Sequence, residues 1–598
     1  MKKLLLLVFS AICLASCSLK ETISNVFNPS SQNNYDADPV TTITTDTSSN
    51  SYDKEIQEEN VEIPSEYDGT NLESISAGGK YYYSGTVSKI DITKKDIEVY
   101  LFFDGVTIEC DTGIAVGSKN ITCHLVLMNG KTNNVTNDFL DENAIHIKGN
   151  LNISGNGILN VESKQKNGLK VSQDLFVSGE EVTLNITGAN HAVAARSITV
   201  NKSTINVVSR AKDGFQLECD QEDEMAFTTE QGFAYFDNAK ITADTKGDGI
   251  QADTYVYVKG GEMNIKTTGE FVSYSTANMA TYELETDDFK FVKSGSDYKR
   301  VAKDEIRTLN SNYYAFTQSV KGIKVGAIKD KNDNDITTGD YEISIAHLAK
   351  VTINSYDDCI HTNYGKVSLD SCNLELDTKD DGVHADYDLV VSNSSIKISS
   401  SYEGLEGANV TINGDDTNIV SYSSDDGINA ASDLVSQTTI TINAGFLRIY
   451  ASGDGVDANT ALYFKGGTTI VEGPGSGNGS LDSDKIYFQG GIVFACSTSG
   501  MTEQMSASQN TFIYQGSTMS SGKIISITDS SDKSLFSYTL KQQCNQLIFS
   551  HSDLQIGSSY NIMADSSKIA TISMTSSITK VGVSGGGQGG NGGHGGFH

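Results

Sequence analysis

The residues best able to do chemistry in this chain recur as one phrase, acid-acid-glycine-aliphatic. It reads "DDGVHAD" at Gly382, "DDGINAA" at Gly427 and "GDGVDAN" at Gly455, with "DDCIHTN" at Cys359 and "YEGLEGAN" at Gly404 as close variants. Paired carboxylates at a fixed phase are the ligand set of a hard divalent cation, which takes oxygen donors at about 2.3–2.6 Å. A single Asp-Asp-Gly is ordinarily a turn in which Asp bonds its own backbone. Five in-phase copies, each with a polar residue two places past the glycine, ask for more than a turn.

The spacing says what must position them. Cys359, Gly382, Gly404, Gly427 and Gly455 stand roughly 22–28 residues apart, the period of a repeat array. Diluted members lie upstream at Gly168, Gly214, Gly249 and Gly322, and fainter ones near Gly113 and Ala144. Within one period the apolar residues come in short alternating pairs, Val383 and Ala385, Leu389 and Val391, Ile396 and Ile398. Three bursts of period-two alternation predict three short strands per unit, and units this small bury a face only by stacking. The fold class is therefore all-β, a parallel β-helix solenoid.

Stacked coils bring equivalent positions to one strand spacing, about 4.7–4.9 Å. Two carboxylates that far apart repel by about 3.5 kcal/mol at an effective dielectric near 20. Ligands on opposite sides of a calcium ion are about 5 Å apart, so the coil spacing suits a bridging ion. The predicted metal ligands are Asp357, Asp358, Asp380, Asp381, Asp386, Glu403, Glu406, Asp425, Asp426, Asp454 and Asp457. His361, His384, Asn429 and Asn459 are the further candidates for ligand contact. Oxygen donors with only two histidines favour Ca²⁺ over zinc or copper.

The rest of the chain frames this repeat. Lys2 and Lys3 precede a short apolar run that ends in "LASC", which predicts a lipoprotein signal over 1–16 and lipidation at Cys17. An acidic, aperiodic stretch over 17–73 reads as a flexible tether. The β-helix is expected over 74–495, with an insertion at about 270–318 whose Lys290, Lys293, Tyr298, Lys299, Arg300 and Lys303 depart from the coil composition. Longer strands out of register over 496–582 suit a β-rich cap that covers the exposed sheet edge. A Gly-rich tail over 583–598 ends the chain, its His594 and His598 a weaker possibility for metal. Seven cysteines remain after the signal and lipid anchor, scattered and without a CxxC pair, and are assigned no chemistry. With 76 Asp+Glu against 44 Lys+Arg and no basic stripe, nucleic acid is not expected as a partner.

The succession "DDGVHAD", "YEGLEGANVTING", "DDGINAA", "GDGVDAN", "GGTTIVEGPGSGNGSLD" and "GGIVFACSTSGM" resembles a bacterial β-helix family of carbohydrate-binding domain-containing proteins, over roughly Ser74 to Gly582. The resemblance implies a right-handed parallel β-helix, bound calcium, and binding of acidic polysaccharide such as polygalacturonate. It also implies likeness to pectate lyases without established lyase activity. The chain departs from the pattern at Cys359, at the upstream outward residues Lys170 and Lys324, and in the lengthened coil after Gly427. The expected protein is thus exported, lipid-anchored at the cell envelope or surface, calcium-dependent and non-catalytic.

Two alternatives stand beside it. A calcium-dependent lyase needs a base over the sugar C5 proton. Lys397 and Arg448 fall on strands away from the acid phase, leaving Lys321, Lys324 and Arg300. A structural adhesin would use calcium for stability alone. Oligomeric state is not readable from the sequence.

Overall fold

The computed structural model describes residues 33–36, 42–56, 61–137, 142–219, 230–269, 319–326, 328, 334–475, 478–498 and 504–583, with the backbone of four strands between 271 and 316. Cys17 with the signal, and His594 and His598 in the tail, lie outside the described residues. No helix occurs among the described residues, and the strands wind into a parallel β-solenoid of about 14 turns.

Most units contribute three strands, each paired in parallel with its equivalent in the next, and in the coils of Val383–Ser392 and Leu405–Asn413 the first two strands expected from the sequence run together as one. In the best-formed coil, Val383, Ala385, Leu389, Val391, Ile396 and Ile398 all point inward and are at most 1% exposed. The alternation read from the sequence is thus the inward set. The first face is a stack of very short strands, from Ile90–Ile92 through Ile145–Ile147, Leu169–Val171, Ile250–Ala252 and Ile360–Thr362 to Leu481–Ser483. The coils toward the N-terminus are called upper below, those toward residue 481 lower.

Glycine in the phrase serves close approach. A Cβ at Gly382 would stand 2.5 Å from the carbonyl oxygen of Gly404, and one at Gly404 2.3 Å from that of Gly427. Neither residue has the positive φ that would call for glycine on conformational grounds. The repeat therefore keeps glycine because the next coil lies against it.

The strands Phe271–Tyr274, Lys290–Ser294, Asp297–Val301 and Tyr313–Phe316 form a separate antiparallel sheet between two consecutive coils. At the lower end Ile492–Ser497 pairs antiparallel with Cys544–Ser550, which ends the parallel stack. A four-stranded antiparallel sheet, Ile524–Asp529, Ser534–Thr539, Ser559–Ala564 and Ser567–Ser573, completes that end over an apolar cluster it shares with Ile470 and Phe494 of the last coils.

The described parts of 17–73 are seated on the solenoid, where the sequence reads as tether. Tyr35 stacks on Phe536 at 4.9 Å between ring centroids, and the fully buried Arg448 donates to the carbonyls of Tyr35 and Asp36. Ile43 donates its N–H to Asn373 Oδ1 at 2.7 Å. His347 lies between Asp46 Oδ2, 2.8 Å from Nδ1, and Asp53 Oδ2, 3.0 Å from Nε2. Tyr52 stacks on Tyr255 at 4.3 Å. These contacts come one residue at a time from a polar segment without regular strand structure, so no periodic apolar pattern announces them.

Candidate functional site

The first face carries the site because each coil presents one outward residue there between two inward ones, on a three-residue strand or, at His384 and Glu406, at the start of a longer one. Register joins these residues into a column: Lys170 with Ala194, then Gln216, Gln251, Lys324, His361, His384, Glu406, Asn429, Asp457 and Asp482. His361, His384, Glu406, Asn429 and Asp457 stand where the repeat phase puts them. Asp482 carries no such signal in the sequence, because its coil reads "GSLDSD" and has lost the phrase.

Beside the column runs a second ladder from the residue just before each glycine. Asp213 Oδ1 accepts the N–H of Asp248 at 2.8 Å, and Asp248 Oδ1 that of Lys321 at 2.8 Å. Below, Asp358 Oδ1 accepts from Asp381 at 3.0 Å, Asp381 Oδ1 from Glu403 at 3.1 Å, and Asp426 Oδ1 from Asp454 at 2.6 Å. Each acid satisfies a backbone donor of the next coil, the turn role that any one copy suggests. Asn143 and Asn167 do the same job without charge, at 3.2 Å each. The hydrogen bond alone therefore does not require carboxylates, and their charge needs another reason.

That charge is met differently along the ladder. In the upper part Lys321 occupies the acid position of its own coil and turns its ammonium down to the next. Its Nζ lies 2.7 Å from Asp357 Oδ1 and 3.1 Å from Asp358 Oδ2. Burial opposes the Asp358 charge, but Lys321 and the hydrogen bond with His361 outweigh it and hold the carboxyl well below its usual range. Asp357, Asp358 and Asp380 offer ligand atoms all within 4.8 Å of one another. A metal there would have to displace Lys321.

One coil down, His384 Nδ1 is 2.6 Å from Glu406 Oε2 and 3.4 Å from Asp381 Oδ2, and Nε2 is 3.2 Å from Asp386 Oδ1. Burial disfavours its charge, yet Glu406, Asp381 and Asp386 raise its pKa well above the ordinary histidine value. His361 stacks on it at 4.6 Å and is pushed the other way, by burial and then by Lys321. The buried Nε2 of His361 has no hydrogen-bond partner. Asp381, His384 and Glu406 form the second compact ligand set, again within 4.8 Å. Asp386 sits beside them and accepts the Tyr364 N–H at 2.8 Å.

The lower part is carboxylate upon carboxylate. Asp426 is pushed up to about 9 by burial, then by Asp425, Asp457 and Asp454. Asp457 is pushed up to about 8 by burial, then by Asp482 and Asp454. Glu403 is raised well above its usual value by burial and by Glu406 and Asp381, although Asn429 donates to its Oε2 at 2.8 Å. The buried Oδ1 of Asn429 has no hydrogen-bond partner. Gly453 replaces the first acid of its coil, and a Cβ there would come within 2.3 Å of Asp425 Oδ1 and 2.4 Å of Asp426 Oδ1. Clustered acids, an orphaned amide oxygen and a cradle kept open by glycine fit a hard cation with oxygen donors. Asn459 lies exposed just beyond this strand.

The lyase bases are placed as well. Lys321 is buried in its ion pairs, Arg448 is buried at the lower end of another face, and Lys397 is exposed on the third strand of its coil. Lys324 is on the column, with Nζ 3.4 Å from Ser319 Oγ. The Arg300 side chain lies outside the described residues.

A model of the carbohydrate-binding domain-containing protein family matches the chain over residues 68–382, 308–477 and 373–532. No curated protein matches it. Among solved structures, a polysaccharide lyase-like protein from C. thermocellum, a gadolinium derivative, is 24% identical over 33% of this chain and 80% of that one, with a TM-score of 0.29. Matched in three overlapping stretches that span well over half its length, the chain belongs to the family of carbohydrate-binding domain-containing proteins.

Proposed function

We propose that this protein is a non-catalytic, calcium-dependent carbohydrate-binding lipoprotein that recognises an acidic polysaccharide along the first face. The family supports the carbohydrate. The observation that carries the cation is the lower column, where Asp426 and Asp457 are raised by burial and then by neighbouring carboxylates, beside the Gly453 cradle. Asp425, Asp426, Asp454, Asp457 and Asn429 would hold calcium there, and the Asp381, His384, Glu406 set could join once His384 gives up its proton. Bound calcium with open positions supplies electrostatic attraction for uronate carboxylates that an acidic protein otherwise repels. Export and attachment through Cys17 rest on the "LASC" motif.

Lyase chemistry is the weaker reading because Lys321, the cation nearest the acids, is locked in two ion pairs rather than directed outward. The test is calorimetry of polygalacturonate with the protein from residue 33 onward, in calcium and in excess chelator, with absorbance followed for unsaturated uronide. Calcium-dependent heat at constant absorbance is expected. Rising absorbance would install the lyase instead. Flat heat and absorbance, with calcium raising only the melting temperature, would make the ladder purely structural.

A further inference from the structure

We infer that the upper coils of the first face form a second, metal-independent anion site, where His146, Lys148, Lys166, Lys170 and Lys324 contact the carboxylates of the same polysaccharide chain directly. This rests on the acidic-polysaccharide reading above and extends it to a stretch whose chemistry is opposite.

The column is continuous. Lys170 pairs in register with His146 above and, through Ala194, Gln216 and Gln251, with Lys324 below, and Lys324 pairs with His361 at the start of the acidic half. From Lys170 to Lys324 is four coil steps, about 19 Å, and from Lys170 to Asp482 ten steps, about 48 Å. A short oligosaccharide covers only one half. A polymer aligned on the lower carboxylates continues straight over Lys324 toward Lys170.

In a chain whose net charge is -32, the upper column carries Lys170 and Lys324 where the lower column carries acids, with Asp213 and Asp248 on the ladder beside it. Lys170 and Lys324 are half-buried on the column, and Lys148 is exposed beside it. His146 is lowered by burial and then by Lys148 and Lys170, with Lys166 adding and Glu142 opposing, so cations dominate the field at that ring. Between the two lysines the column is uncharged, with Ala194, Gln216 and Gln251. Gln216 Nε2 donates to Glu218 Oε1 at 2.7 Å and Gln251 Nε2 to Asp253 Oδ1 at 3.3 Å. An ammonium binds a carboxylate as a point charge and needs no bridging ion. The lower half, where Glu406, Asp457 and Asp482 face the ladder acids, needs one. The two halves therefore suit one polyanion, held through calcium below and by lysine above.

The experiment compares wild type with the triple variant Lys148→Gln, Lys166→Gln, Lys170→Gln, using polygalacturonate and trigalacturonate, both in calcium. At low salt the variant should bind the polymer roughly tenfold more weakly, as three partly exposed ion pairs allow. Its affinity for the trimer should be unchanged, which also shows that it is folded. The difference should vanish at high salt, where exposed charges are screened. Equal polymer affinity for the two proteins at low salt would overturn this inference and leave the calcium-held half standing. A wild type that binds neither ligand would overturn the polysaccharide reading itself, and the inference with it.

Discussion

Lys321 Nζ sits 2.7 Å from Asp357 Oδ1 with the lysine only 1% exposed, so at this level of the ladder the protein supplies its own cation. The same ammonium reaches Asp358 Oδ2 at 3.1 Å. A single substitution at the acid position of one coil thereby changes the chemistry of the coil below it.

Lys321→Met should strand two buried carboxylates. Removing one partner of a buried pair costs about 3–5 kcal/mol. In chelator the variant should melt well below wild type, and calcium should restore more stability to it than to wild type by entering the Asp357, Asp358, Asp380 set. Equal calcium shifts in the two proteins, read by thermal denaturation, would contradict the stand-in role of Lys321.

The raised carboxylates set a pH dependence. Asp381, Asp457 and Asp426 are held at about 7, 8 and 9, against 3.8 for the free side chain, first by burial and then by neighbouring acids. The folded state therefore binds more protons than the unfolded one between pH 4 and 9, and stability of the calcium-free protein falls as pH rises through that window. His384, raised, acts in the same direction above pH 6.5, while His361, lowered, opposes it on the acid side. Calcium needs the ionised acids, so it should flatten or reverse the slope. Urea denaturation across pH, with chelator and with calcium, reads both.

Asp426→Asn and Asp426→Ala separate the two duties of a ladder acid. Asparagine keeps an acceptor for the Asp454 N–H, as Asn143 and Asn167 do in their coils, and removes a repelling charge. It should leave the calcium-free protein at least as stable as wild type while weakening calcium roughly tenfold or more. Alanine leaves that N–H unpaired and should cost a further ~1–3 kcal/mol. Calcium titration paired with denaturation distinguishes the variants.

Tyr35→Ala tests the N-terminal strap. The ring stacks on Phe536 at 4.9 Å and on Phe446 at 6.3 Å, joining the last coils to the terminal sheet. Losing it should cost about 3 kcal/mol, felt first at the lower end. Limited proteolysis should cut within 505–581 sooner than in wild type, with the upper coils unaffected.

Much of this is legible in the sequence. The period and the alternation in "DDGVHADYDLVVSNSSIKIS" name the inward residues and the outward His384 correctly, because strand geometry allows one choice of faces once the repeat is aligned. The same alignment places His361, Glu406, Asn429 and Asp457 in one line. Asp482 escaped because its coil no longer carries the acid-glycine phrase, and only backbone pairing with Asp457 reveals it. The phrase marks these acids alike, whereas the structure divides them by what faces them.

The sequence by itself determined the repeat, and with it the strand faces and the outward column, since these follow from local periodicity and a fixed coil spacing. Only the tertiary structure decided how each carboxylate is neutralised. Whether Lys321 reaches Asp357, or His384 reaches Glu406 and Asp386, depends on side-chain direction and burial between coils. The course of residues 33–36 and 42–56 was likewise settled by contacts with partners hundreds of residues away, such as Ser371 and Phe536, which no local pattern encodes.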